Sequence, residues 1–194
     1  MNKGRLEAFS DGVIAVIITI MVLELKAPHG ADLEAFQPLL PGFLTYVLSY
    51  IFLGIYWNNH HHLLHAVHHV TGGTLWANMH LLFWLSLVPF ATGWMDENHF
   101  APMTVAVYGT VLLASAIAYF ILTRVLLASH GHDSAFAKAL GSDFKGKVSV
   151  VLYAVAIAAA FWQTWIALGI YVLVALWWLV PDRRFERLLA EHKP

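Results

Sequence analysis

An all-α, polytopic membrane protein is the fold class this sequence predicts, and three observations carry it. Of 194 residues, 59% are hydrophobic and only 12% charged, with a mean hydropathy of +0.66, whereas a soluble domain carries about 25% charged residues. The apolar residues fall in long runs separated by short stretches rich in Pro, Gly and charge. Those runs divide into six stretches of spanning length, which predicts a single six-helix transmembrane domain over residues 1–194. The net charge of -1 carries no basic excess and excludes a nucleic-acid partner. Cysteine is absent, so disulfides and thiolate metal sites are excluded as well.

The first helix is the most informative. Gly12 to Leu23 contains no ionisable group, but as an α-helix it covers only about 18 Å of the roughly 30 Å hydrocarbon core. The span therefore reaches back over Asp11, Ser10 and Glu7. Polar residues there face other helices or a wet cavity, because lipid offers them no partner. At about 100° per residue, Ala8, Gly12, Ala15 and Thr19 form a stripe of small residues, and Phe9, Val13, Val16, Ile20 and Leu23 an adjoining bulky one. Asp11, Glu24 and Lys26, with no small-x-small cleavage site, identify a retained helix rather than a signal peptide.

Lys26 to Pro41 has the composition of a loop. Further spans are predicted over about Gly42 to His65, Thr74 to Trp94 and Ala101 to Leu127. Val148 to Val180 is too long for one span, so a turn near Gln163-Thr164 divides it into a fifth and a sixth helix, the fifth starting at a cap on Ser142 or Asp143. With both termini cytoplasmic, Lys3, Arg5, Arg124, Lys138, Lys145, Lys147, Arg183, Arg184, Arg187 and Lys193 lie inside and only Lys26 outside. The tryptophans agree: Trp57, Trp76, Trp177 and Trp178 fall near the inner interface and Trp94, Trp162 and Trp165 near the outer one, with Trp84 in mid-span. A multi-pass protein of the cell membrane is the expectation.

Among candidate chemistry, His60, His61, His62, His65, His68 and His69 are the densest cluster. One-turn spacings such as His61 and His65 can chelate a metal, and His65-Ala66-Val67-His68-His69 resembles one histidine box of membrane di-iron enzymes. Such a centre needs several boxes, and only scattered histidines remain, so the cluster reads more simply as a polar helix end with His60 alone buried. Proton sensing by these imidazoles is the other open use, and Asp11 with the histidines would suit a proton-coupled transporter. Thr104-Val105-Ala106-Val107-Tyr108-Gly109 imitates a carbonyl filter but lies in a continuous apolar span, and reads as plain helix. Asp96 and Glu97 read as loop charges that would concentrate cations at an outer mouth. No catalytic triad, P-loop or dinucleotide fingerprint is visible, and the sequence calls for no cofactor.

Arg5-x-x-x-Phe9-Ser10-Asp11 resembles the Arg-x-x-x-Phe-Ser-Asp motif of the endolysosomal potassium channels (transmembrane protein 175). Trp57-Asn58-Asn59-His60 looks like the Trp-x-x-His that ends the family's second helix, and Asn78 followed by Pro89 resembles its third. The motifs cover the first half of the chain, and the remainder is similar in topology. The resemblance implies a leak-type, potassium-permeable channel built as a homotetramer, with the first helix of each copy lining a central pore. Val16 would then be the narrowest apolar ring, at a position where the family often has Ile or Leu, with Ile20 and Leu23 further out. Thr19 would either offer a hydroxyl to the ion or bond back to its own helix. Arg5, Ser10 and Asp11 would form a scaffold at the inner mouth, braced by Trp57 and His60 with Asn78 nearby, and His60 or Asn78 would hold Asp11.

Overall fold

The computed structural model describes residues 3–130 and 143–179, and among these every regular element is helical. Helix α1 (Lys3–Met21) continues as a 3-10 turn over Val22–Glu24. A short helix α2 (Leu33–Phe36), capped where the Asp32 side chain accepts from the Ala35 amide, leads through a second 3-10 turn into α3 (Leu40–His65). Pro41 sits in the first turn of α3, where a missing amide costs nothing. Helix α4 (Gly72–Ser86) opens on a capping box: the Thr74 amide donates to the Thr71 hydroxyl, and the Thr71 amide to that of Thr74.

The span predicted over Thr74 to Trp94 is interrupted. It breaks at Leu87 and resumes as α5 (Val88–Glu97), because Pro89 has no amide to give and its ring would strike the carbonyl four residues back. Helix α6 (Pro102–His130) is long and straight-running in sequence, and includes Thr104 to Gly109 as regular helix. Asp143, in the left-handed region, precedes α7 (Phe144–Ala160). A turn over residues 161–163 leads to α8 (Thr164–Leu179), which is where the apolar tract was expected to divide. Ser142 lies outside the described residues.

Among the described residues, four helical stretches are long and apolar enough to cross a membrane: Lys3–Glu24, Leu33–His65, Gly72–Glu97 and Pro102–His130. Within the described residues α7 and α8 run for only 17 and 16 residues. Helix α6 is the hub, packed against α4, α5, α7 and α8, while α1 packs on α3, α4 and α5. Tyr108 and Tyr171 are both fully buried, with rings 5.6 Å apart, and tie α6 to α8. Gly109 makes room there, since a methyl group in its place would collide with the Tyr171 hydroxyl, which donates to the Val105 carbonyl at 3.2 Å.

Contacts between helix ends define two ends of the bundle. At one, Lys3 reaches the His65 carbonyl, the His68 amide reaches His130, and Lys145 lies over the Trp178 ring. At the other, Lys26 pairs with Glu97 at 2.9 Å and Phe100 meets Trp165. The first end therefore collects Lys3 and Lys145 and the second holds Lys26, the partition that the charge pattern predicts. Lys138, Arg183, Arg184, Arg187 and Lys193 lie outside the described residues.

Candidate functional site

One stripe of α1 is buried: Leu6, Ser10, Ile14, Ile17 and Met21, spaced three and four apart as one face of a helix requires. The opposite arc is bare in the single chain. It includes Ala8, Gly12, Ala15 and Thr19 from the small stripe, and Phe9, Val16, Ile20 and Leu23 from the bulky one, the last three exposed by 54%, 46% and 78%. Val13 is half-buried and belongs to the edge. Of the bare residues, Ala8, Phe9, Gly12, Val16 and Ile20 border a groove of about 870 Å³ between α1 and α5, whose far wall is Pro89, Phe90, Gly93 and Trp94 and whose end carries the carboxylates of Glu24 and Glu97; Ala15, Thr19 and Leu23 stand outside it.

The buried stripe is pinned by a chain of polar side chains. Ser10 donates to the Leu6 carbonyl at 2.8 Å and accepts from the Asn78 amide nitrogen at 2.9 Å. The Asn78 oxygen in turn meets His60 Nε2 at 2.7 Å. Ser10 and Asn78 are fully buried and His60 is 1% exposed, so each bond is made where water cannot substitute for it. The geometry fixes the tautomer: Asn78 Oδ1 is an acceptor only, so His60 Nε2 carries the proton.

Asp11 is held otherwise than expected. Its carboxylate accepts from the Trp57 indole at 3.0 Å, while Asn78 goes to Ser10 and His60 to Asn78. The reason is angular: Asp11 follows Ser10 by about 100° on α1, which turns it from α4 toward the exposed edge of α3, where Trp57 stands. Trp57 also stacks on His61, ring centroids 6.0 Å apart. Arg5 is exposed, and Lys3 and Glu7 form a pair one turn apart at 3.6 Å. The Thr19 hydroxyl donates to the Val16 carbonyl at 2.9 Å. That bond consumes its proton and leaves oxygen lone pairs directed away from the helix.

The remaining histidines do not converge as a metal site: among the described residues no three His, Asp or Glu side chains are placed to hold an ion. His61, His62 and His65 neighbour one another at the end of α3, and His69 stacks on His130 at 4.3 Å. His132 and His192 lie outside the described residues. Sequence reasoning missed two features. One is the wall that α5 gives the groove. The other is a buried knot in which Ser49 bonds Thr92 at 2.8 Å and Tyr108 at 3.0 Å, joining α3, α5 and α6. Isolated hydroxyl residues in apolar runs give no pairing signal.

A helical membrane bundle whose first helix is locked on one side, greasy and bare on the other, and bordered by carboxylates defines the class of an α-helical ion-transport protein. Residues 5–89 match the family model described as endosomal/lysosomal potassium channel TMEM175. The chain is 55% identical over 192 residues to a potassium channel of Chryseobacterium sp. (strain P1-3), covering 99% of this chain and 100% of that one. It is 30% identical to a potassium channel of Chamaesiphon minutus over 91% of this chain and 93% of the other. The crystal structure of a lysosomal potassium-selective channel TMEM175 homolog from Chamaesiphon minutus superposes with a TM-score of 0.75, at 28% identity, over 92% of this chain and 96% of that one. The chain belongs to the TMEM175 family. That membership displaces the histidine-box enzyme as a reading of the His60 to His69 cluster.

Proposed function

We propose that the chain is one subunit of a homotetrameric, potassium-permeable leak channel of the cell membrane, with six spans, both termini cytoplasmic, and the bare arc of α1 facing a four-fold axis. The observation that carries this reading is the exposure of Val16, Ile20 and Leu23 on a helix whose other face is fixed by Ser10, Asn78 and His60. The relatives named as potassium channels support the permeant ion.

The three side chains lie within about 60° of one another on the wheel and rise over roughly 10 Å. Four copies would stack three apolar rings, which close by dewetting when narrow and conduct after a small rotation or spreading of the helices. Thr19 is beside them, and its outward lone pairs replace part of an ion's hydration shell. A partial charge of that kind favours the more easily dehydrated potassium over sodium. Glu24, at the groove's end, raises the local cation concentration, while Glu97 beside it is paired with Lys26.

The test is potassium flux through reconstituted protein, native against Val16→Ala, Ile20→Ala and Leu23→Ala. Enlarging the narrowest ring raises leak severalfold, whereas unchanged flux in all three removes these rings as the gate. Flux that follows the potassium gradient regardless of an imposed proton gradient identifies a channel; strict dependence on protons identifies a coupled transporter.

A further inference from the structure

Away from α1, helices α3, α6 and α7 with Trp178 of α8 enclose a cavity of about 300 Å³ that the ion pathway does not use. Its walls are greasy, formed by Phe52, Ile55, Tyr56, Ile117, Phe120 and Val150. Water, at roughly 30 Å³ a molecule, would find few partners there. Ser149 and Tyr119 also line it, but their hydroxyls bond within the protein; the remaining polar groups are those of the mouth and the Tyr56 and Tyr153 hydroxyls. At the mouth, toward the end of the bundle that carries Lys3 and Lys145, stands Lys147, exposed and without an ion pair to any described residue. Asn59 and Asp143 share that mouth. The Asp143 carboxylate lies over Gly146, where a methyl group would come within 2.6 Å of it.

About 9 Å deeper along α7, Tyr153 lines the same cavity. It is 3% exposed, and its hydroxyl bonds no described residue. Tyr56 on the same wall likewise bonds no described residue, whereas Tyr119 donates to the Asn59 carbonyl, Tyr108 bonds Ser49 and Tyr171 donates to the Val105 carbonyl. A buried hydroxyl left over in an apolar cavity is costly unless something that enters accepts its proton.

We propose that this cavity binds an acyl chain of an anionic glycerophospholipid, with the headgroup phosphate at Lys147 and an ester carbonyl accepting from Tyr153. The two polar levels select this occupant. A phosphate matches a cation at the membrane surface, the chain matches the greasy walls, and only a lipid with an acceptor set back from its headgroup uses both. A free fatty acid has one polar end and leaves Tyr153 unpaired. This inference is independent of the pore.

Native mass spectrometry of the purified full chain tests it, titrating phosphatidylglycerol, phosphatidylcholine of the same acyl chains, and palmitate. Phosphatidylglycerol binds more tightly than phosphatidylcholine. Lys147→Gln weakens it about fivefold, the effect of one interfacial lysine on an anionic lipid, and leaves phosphatidylcholine unchanged. Lys3→Gln, at the same end of the bundle, changes neither. Tyr153→Phe weakens both phospholipids, and Val150→Phe or, from α6, Ile117→Phe plugs the cavity and removes binding at retained helicity. Equal phosphatidylglycerol binding by native and both plugged chains overturns the proposal. So does the absence of a headgroup preference, or palmitate binding as tight as phosphatidylglycerol and indifferent to Tyr153→Phe.

Discussion

Asn78 carries more than its size suggests, because it presents a donor to Ser10 and an acceptor to His60 in a site closed to water. Asn78→Ala strands the His60 N–H, while Ser10 keeps its bond to the Leu6 carbonyl, and lowers stability by about 1–3 kcal/mol, read as a fall in melting temperature in detergent. Asp11→Asn keeps an acceptor for the Trp57 indole and stays folded. Asp11→Ala leaves the half-exposed indole to solvent and costs less than Asn78→Ala in the same assay. The motif residues were legible in the sequence as a set, although they divide between faces, Phe9 on the bare arc of α1 and Ser10 on its buried stripe. Their pairing was not, since Trp57 and His60 stand one turn apart on α3 and only the offset between α1 and α3 decides which of them Asp11 meets. Lys26 shows the opposite regime. Its bond to Glu97 raises its pKa above the ordinary lysine value, so this contribution is present at neutral pH and is lost only as alkaline pH passes the raised value. Being largely exposed, the pair is sensitive to salt.

Among the elements, α6 and α8 are joined by a close approach that hydropathy conceals. Gly109→Ala puts a methyl group into the Tyr171 hydroxyl, and overpacking of this kind costs about 1–3 kcal/mol. Tyr171→Phe in the same chain removes the nearest clashing atom but leaves the ring carbon at 2.7 Å and Ile157 at 2.9 Å, so the double variant recovers only part of the loss and melts above the Gly109→Ala single one; equal melting temperatures would mean the helices separate instead. The turn after Ala160 followed from the length of the last apolar tract against bilayer thickness. The interruption at Leu87 did not, although Pro89 was in view: a proline within a span allows either a kinked helix or a broken one, and neighbouring packing selects between them.

For the whole molecule, the absence of cysteine provides a direct probe of assembly. Single Leu23→Cys or Ile20→Cys chains, oxidised in membranes, form disulfide-linked dimers across the axis. Ile14→Cys, buried within its own subunit, does not. Monomers in every case would place the bare arc against lipid. That arc also bears on how such a subunit is made. A conduit walled with polar groups would strand them in hydrocarbon until its copies arrived, whereas a surface of Val16, Ile20 and Leu23 is as comfortable beside acyl tails as beside its own kind. On the proposed assembly, a newly inserted chain can therefore rest with this arc against lipid until its copies meet.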